Sequence, residues 1–223
     1  MIKQIFLLSL ITLICLSTSI KAIGASHKVS AQDVAELQAF NHNYDLKIKA
    51  FITLNGELSR SLVSVDAQNN KWQFVIAAKA SFGLNSKMVS DFVFDDQQIH
   101  SIKLSEKKPG SDEIKTVRFA MLDQPLWDKA NIQIQLQQDL IRGLDISQKP
   151  YKIQDKTYSF RIVRKEKLKV PAGEFDTVLV ETLLPDNKQD EERLFWFAPK
   201  QNYILVKYYQ KNRGGTYDAT LAD

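Results

Sequence analysis

The sequence has few of the residues on which covalent or metal chemistry depends. Its single cysteine, Cys15, lies in an apolar stretch near the N-terminus, so the rest of the chain has no disulfide and no thiol nucleophile. The three histidines, His27, His42 and His100, are far apart, and no two of them have the spacing of zinc ligands. We therefore predict that the protein holds no metal ion.

Motifs of common enzymes are also missing. The chain has no G-x-S-x-G motif, no P-loop and no G-x-G-x-x-G motif. The acids in KVPAGEFDTVLVE (169–181) are the main candidates for acid–base chemistry. Asp176 and Glu181 are an odd number of residues apart, so on a regular strand they face opposite sides, whereas paired catalytic carboxylates share one side of a cleft. We predict no catalytic residue and no cofactor, and we interpret Pro171 and Gly173 as part of a hairpin connection.

The N-terminus has the features of an export signal, and its apolar run is too short to span a membrane. An apolar run from Ile5 to Leu16 follows Lys3, whereas a span needs about 20 residues. Small residues follow the run, as in secretory signal peptides. We predict a signal peptide over 1–24, cleaved after Gly24 or Ala22, and a periplasmic mature protein without a transmembrane span. An uncleaved anchor and lipidation of the cysteine are the alternatives.

Neither sign of charge dominates. Removal of residues 1–24 takes two lysines from a formal net charge of +4, which leaves +2 and gives no electrostatic reason to bind nucleic acid. Hydrophobic residues make up 44% of the chain, enough for one sizeable core. We predict an N-terminal arm or short helix over 25–43, followed by a single β-rich domain over 44–223.

Alternation with a period of two dominates that domain. In YDLKIKAFI, apolar residues Tyr44, Leu46 and Ile48 alternate with charged residues, as in a half-buried strand. Asn69-Asn70 and the Pro-Gly turn within 107–113 punctuate further runs of the same kind. The pattern predicts a mostly β fold built on a strongly curved antiparallel sheet, either an open barrel or sandwich-like.

One segment, DQPLWDKANIQIQLQQDLIRG, departs from this pattern. Asp128 suits a helix start and Gly143 a left-handed stop. Residues Ile132, Leu136 and Leu140 have helical spacing, although 132–136 also alternates as a strand would. We predict one helix around 129–142.

Three C-terminal segments carry a resemblance to a known family. TYSFRIVRKEKLKVPAGEFDTVLVE, ERLFWFAPKQNYILVKYYQ and GGTYDATL resemble the C-terminal half of the domain-of-unknown-function family 3108, exported proteins of Gram-negative bacteria. The resemblance extends more loosely over about 44–222, and Leu205 replaces a proline of the family pattern. It implies a β-rich periplasmic domain, and it supplies no catalytic residues.

Two groups of residues are candidates for ligand binding. The basic cluster that includes Arg161 and Arg164 can meet an anionic lipid or polymer, or it can be a solvated strand face. Trp196 and Tyr203 belong to aromatic strands, and aromatic side chains in strands more often pack the core than bind a ligand. In FWFAP, Phe195 and Phe197 point to one face and Trp196 to the other, so we expect the helix or a loop to cover Trp196.

Two classes of function fit these observations. The first is a non-enzymatic binding or chaperone-like protein of the cell envelope that holds an apolar or lipid-like ligand within the curved sheet. Periplasmic carriers of lipids and lipoproteins have that architecture, which is an analogy at the level of the fold alone. The second is a hydrolase of envelope polymers, with carboxylates gathered by the fold. The sequence does not determine the oligomeric state.

Overall fold

A computed structural model describes residues 36–120, 125–183 and 191–223 of the chain. The signal peptide predicted for 1–24, and the arm predicted from residue 25 as far as 35, lie outside these residues. Within the described ranges, no helix has both the length and the apolar character that a membrane crossing requires.

Twelve strands and one α-helix make up the described structure. The strands are β1 (Phe40–Lys49), β2 (Thr53–Asp66), β3 (Lys71–Ala80), β4 (Leu84–Asp95), β5 (Gln98–Lys107), β6 (Ile114–Arg118), β7 (Tyr151–Ile153), β8 (Lys156–Val170), β9 (Gly173–Leu183), β10 (Glu192–Ala198), β11 (Ile204–Asn212) and β12 (Gly215–Leu221), and the helix is α1 (Ile132–Ile141). Single turns of 3-10 helix occupy Ser81–Gly83 and Pro199–Gln201.

All twelve strands form one antiparallel sheet in the order β6-β5-β4-β3-β2-β1-β12-β11-β10-β9-β8-β7. Each half is a meander in which neighbours in sequence are neighbours in space. The halves join where β1, the first strand, pairs with β12, the last, with Tyr44 opposite Leu221. Among the described residues the edge strands β6 and β7 do not pair, so the sheet stays open. The predicted mostly β fold with an open, curved sheet is confirmed.

The first strand begins earlier than predicted. Side chains of β1 alternate between buried and exposed along its whole length, and Phe40 and His42 are buried like Tyr44. The predicted boundary at Tyr44 is therefore wrong, because residues 40–43 pair with 59–62 of β2 and gain sheet hydrogen bonds that an arm or a helix would lack. The described residues before them, 36–39, are not helical.

The predicted helix is confirmed, although it starts three residues late. The Oδ1 atom of Asp128 accepts hydrogen bonds from the backbone N–H groups of Ala130 and Asn131, at 2.7 and 2.9 Å. Asp128 thus caps the turn that precedes α1 rather than α1 itself. After the helix, Gly143 has the left-handed backbone predicted for the stop, with φ of +70°.

Gly56 on β2 lies where two strands come very close together. A Cβ atom at this position would be 2.2 Å from the backbone oxygen of Lys79 on β3, which cannot move without disturbing the sheet. We expect Gly56→Ala to lower the free energy of unfolding by about 1–3 kcal/mol, the usual cost of overpacking. Urea unfolding measures the change. Ser64→Ala, at an exposed position of the same strand, is the control and should change stability little.

Candidate site on the concave face of the sheet

Helix α1 is buried on all of its sides. Every residue from Ile132 to Leu140 is buried, including Gln133, Gln135 and Asp139, which are fully inaccessible. An amphipathic helix on a protein surface would expose such residues. A helix without an exposed face must have walls all round it, and its polar side chains must find partners within those walls.

Strands β4 and β5 form one wall. The Nδ2 group of Asn131 donates to the hydroxyls of Ser90 on β4 and Ser101 on β5, at 3.1 and 2.7 Å. The hydroxyl of Ser90 in turn donates to Asp128 at 2.6 Å. One turn further along, the Oε1 atom of Gln135 accepts a hydrogen bond of 2.8 Å from the backbone N–H group of Ile99 on β5. These bonds fix the start of α1 against the first half of the sheet.

The connection between β10 and β11 lies on the other side of the helix. Gln137 donates to the backbone oxygen of Asn202 at 2.6 Å. In the strand order, β4–β5 and β10–β11 flank the central β1–β12 pair from opposite sides. Because α1 contacts both, the sheet curls around the helix, and α1 fills its concave face.

Asp139 is the electrostatic centre of the helix. Its fully buried carboxylate accepts hydrogen bonds from Gln135 (2.9 Å), from Lys149 (2.8 Å) and from the hydroxyl of Tyr151 (2.8 Å), and it forms an ion pair with Arg142. Burial, followed by the charge of Asp139, raises the pKa of the Tyr151 hydroxyl well above its usual range. The hydroxyl therefore stays protonated and serves as a donor.

Neither buried carboxylate of this region is available for acid–base chemistry. Asp128 accepts hydrogen bonds on both oxygens, from two backbone N–H groups and from Ser90 and Asn131. Burial raises the pKa of Asp128, and these donors act in the opposite direction. Both oxygens of Asp139 likewise accept hydrogen bonds. In the described ranges, no cluster of three or more histidine, cysteine or acidic residues has the geometry of a metal site.

A row of aromatic rings lines the concave face beside the helix. Neighbouring ring centroids lie 5.1 to 6.3 Å apart, from Trp127 through Tyr151, Phe160 and Phe195 to both Phe197 and Tyr208. All of these side chains are buried. The row gives the concave face a large apolar lining, which matches hydrocarbon or another aromatic surface.

Arg60 on β2 is a fully buried cation on the same face of the sheet. Its Nη1 atom donates to the hydroxyl of Tyr44 at 2.9 Å, and that hydroxyl donates to the backbone oxygen of Leu205. The guanidinium carbon lies 5.3 to 5.7 Å from the ring centroids of Phe40, Tyr44 and Phe74. Within the described part of the chain, Nε and Nη2 have no hydrogen-bond partner. Burial lowers the pKa of Arg60 well below its usual range.

The candidates predicted from the sequence lie apart from this face. Trp196 donates from Nε1 to Glu166 at 2.6 Å, and Arg164 forms an ion pair with the same carboxylate. The ammonium group of Lys207 lies 5.5 Å from the ring of Trp196. Side chains of the strands β8 and β11 thus contact Trp196, and its predicted cover by the helix or a loop stays a prediction.

The two remaining candidates lie apart from each other. Arg161 pairs with Glu181 on β9. Tyr203 lines an open groove of about 460 Å³ with Lys165, Lys167 and Lys200. Acids of β8 itself and of the adjacent β9 pair with several cations of the basic cluster, as in a solvated strand face. A binding role for Arg161, Arg164, Trp196 and Tyr203 stays a prediction.

The acids at the start of β9 form surface ion pairs. Asp176 pairs with Lys200 at 2.6 Å, and Glu174 pairs with Lys167 at 3.2 Å. The nearby ammonium group lowers the pKa of Asp176, whose side chain is nevertheless exposed. We expect Asp176→Asn and Glu174→Gln to leave the urea unfolding midpoint and ligand binding unchanged, since exposed ion pairs contribute little. Loss of function in a normally folded Asp176→Asn variant would show that this corner is an active site.

Sequence reasoning missed the polar groups of the concave face. Arg60 had a detectable signal, because it occupies an inward position of β2 between the buried residues Leu58 and Leu62. Asp139 had none, since a helix rich in glutamine resembles a surface helix. Lys149 and Tyr151, which contact Asp139, lie beyond the end of α1 in the sequence, so the helical pattern does not connect them with Asp139.

Comparisons with known proteins identify a family and match two solved structures. A family model described as "Protein of unknown function (DUF3108)" matches residues 46–222. A beta-barrel-like protein of DUF1849 from Brucella abortus has a TM-score of 0.45 at 10% identity, covering 83% of this chain and 96% of that one. A DUF1329 protein from Desulfovibrio piger has a TM-score of 0.34 at 11% identity, covering 86% and 87%. No curated protein sequence matches the chain.

Proposed function

The chain belongs to the DUF3108 family of proteins of unknown function, and on that premise we propose that it is a non-enzymatic binding protein of the periplasm. It holds an apolar or lipid-like ligand on the concave face of its sheet. One observation carries this proposal: the buried helix α1 and the row of aromatic rings share that face. A hydrocarbon ligand that takes the place of part of α1 meets the aromatic lining directly.

The attachment of α1 is suited to opening. Side-chain hydrogen bonds link it to the sheet, and that of Gln137 reaches the β10–β11 connection. In that connection Asn202 and Tyr203 both have left-handed backbones, with φ of 52° and 53°. Residues other than glycine adopt this conformation at a cost of about 1 kcal/mol or more each. The contact with α1 helps to hold the connection in this form, and its release favours the open state.

Binding is tested with an apolar fluorophore whose emission rises in a dry environment. Protein without residues 1–24 is titrated, and native mass spectrometry identifies molecules that co-purify from the periplasm. We expect saturable binding of one fluorophore per chain and its displacement by a lipid extract. A protein that binds neither the fluorophore nor any co-purifying amphiphile contradicts the proposal.

Two variants test the role of the helix. In Gln137→Ala the attachment to Asn202 is lost, so we expect the fluorophore to bind several-fold faster. Gln73→Ala removes a similar hydrogen bond, to Asp91, between β3 and β4. This variant is the matched control and should bind at the wild-type rate. Equal rates in all three proteins would show that α1 does not open.

The periplasmic location is tested by fractionation. If residues 1–24 are a signal peptide, the intact mass of the protein in periplasmic extract corresponds to a chain that begins between Ile23 and Ser26. A full-length chain of 223 residues found in the membrane fraction contradicts this location. The binding assay is independent of this result.

Hydrolysis of an envelope polymer, the other function considered from the sequence, has less support. A glycoside hydrolase needs two carboxyl groups that face the substrate. Asp128 and Asp139 are buried, and each accepts hydrogen bonds on both oxygens. Their arrangement is that of structural anchors.

A further inference from the structure

Arg60 is a buried charge without a buried partner of opposite sign. No acidic side chain of the described ranges forms an ion pair with Arg60, and within these ranges the hydroxyl of Tyr44 is the one acceptor of its hydrogen bonds. Removing a guanidinium from water is costly unless an anion or several acceptors replace the water. The three surrounding rings compensate in part through cation–π contacts.

The unpaired atoms form one edge of the guanidinium. The Tyr44 hydroxyl occupies Nη1, whereas Nε and Nη2 have no partner in the described part of the chain. The N–H bonds of Nε and Nη2 are nearly parallel, and together they match the two oxygens of a carboxylate or of a phosphate. This edge is therefore suited to two-point recognition of an anion.

The surroundings favour an anion attached to an apolar chain. Arg60 lies between the inward-facing residues Leu58 and Leu62, on the concave face that α1 and the aromatic rings also occupy. Opposite it on β1, burial lowers the pKa of His42 to about 4, so His42 is neutral at pH 7 and adds no second positive charge. A small, strongly hydrated anion gains little in such a place, whereas the head group of an amphiphile enters together with its hydrocarbon.

We propose that the Nε–Nη2 edge of Arg60 binds the anionic head group, a carboxylate or a phosphate, of an amphiphile whose hydrocarbon lies against the aromatic lining. The inference rests on the proposed function and adds the charge of the ligand and the residue that recognises it. Arg60 is an anchor for the head group and takes no part in a chemical step.

The test compares three ligands with the same alkyl chain in displacement of the fluorophore. Dodecanoate carries a carboxylate, dodecyl phosphate carries a phosphate, and dodecanol carries no charge. We expect the wild-type protein to bind at least one of the anions about ten times more tightly than dodecanol, or better. Preference for dodecanoate identifies fatty acids as the class of ligand, and preference for dodecyl phosphate identifies phospholipids. Equal binding of both shows that Arg60 recognises either anionic head group. Inorganic phosphate alone should displace little fluorophore.

Two variants separate recognition from folding. Arg60→Met keeps a long side chain without the charge, and Arg60→Lys keeps the charge without the two-point edge. We expect Arg60→Met to lose the preference for anions while its affinity for dodecanol is unchanged, and Arg60→Lys to retain only part of the preference. Arg118→Met, which removes an exposed arginine from β6, is the control and should behave as wild type.

Thermal unfolding distinguishes a purely structural role. Without ligand, Arg60→Met should melt at the wild-type temperature or above it, because the variant no longer buries an unpaired charge. A lower melting temperature together with an unchanged preference for anions overturns the inference. Should Arg60→Met fail to fold, the wild-type preference and the Arg60→Lys variant still decide the question.

The failure of this inference differs from the failure of the proposed function. Equal affinity of the wild-type protein for the two anions and for dodecanol overturns the role of Arg60 and leaves apolar binding intact. Absence of binding by all three ligands and by the fluorophore overturns both.

Discussion

Replacement of Phe195 by alanine is expected to lower the free energy of unfolding by about 3–5 kcal/mol, the range typical of buried phenylalanine. The side chain is inaccessible to solvent, and its ring contacts those of Phe160, Phe197 and Tyr208. Alanine leaves a cavity, and these rings cannot move into it because the backbones of their strands hold them in place. Urea unfolding followed by tryptophan fluorescence measures the loss.

Phe82→Ala provides the control. Phe82 lies in the turn between β3 and β4 and is 83% exposed, so its truncation should change stability by less than about 0.5 kcal/mol. If Phe195→Ala costs less than about 1 kcal/mol, the concave face is loosely packed, and the row of aromatic rings does not form the centre of the core.

The second large effect is expected at Asp139. Asp139→Ala removes the acceptor of Lys149, Arg142 and the Tyr151 hydroxyl at once. We expect a loss of about 3 kcal/mol, at the low end for breaking a buried ion pair, because both cations are partly exposed and recover some hydration. Chemical unfolding at neutral pH measures it.

A double-mutant cycle identifies the source of the loss. Tyr151→Phe alone should cost about 1 kcal/mol, the value of one hydrogen bond, and its effect should largely disappear in the Asp139→Ala background. Additive effects of the two substitutions would mean that the hydrogen bond between them contributes nothing. Asp139→Asn, which keeps the shape and one acceptor oxygen, should be less damaging than Asp139→Ala.

Local patterns predicted most of the strands, since alternation of burial is a property of each strand by itself. The alternation that begins at Tyr44 was recognised, yet β1 starts at Phe40. Residues 40–43 are more polar, and only their pairing with 59–62 settles their conformation. Gly173, interpreted as a turn residue, has φ of +128°, which agrees with the hairpin predicted at that corner.

The position of the helix could not be predicted in the same way. Its end was recognised from Gly143, but its glutamines favour a surface helix, and α1 is wholly buried. Burial becomes favourable only because Ser90, Ser101 and Asn202 supply hydrogen bonds, and these residues are remote in sequence. The same reason hides Arg60, whose environment is formed by three rings from the two strands on either side of it, β1 and β3.

The pairing of the first strand with the last has a consequence for the order in which the protein folds. As the chain leaves the ribosome, β1 to β6 can pair with one another, but β1 keeps an open edge until β12 is complete. The pairing of β1 with β12 encloses almost the whole chain in one loop, so the fold has high contact order and should form slowly. Until then β1 offers its backbone groups to any other strand. Loss of the seven residues that form β12 would therefore leave the edges of β1 and β11 open in the middle of the sheet and favour aggregation over a merely shortened fold.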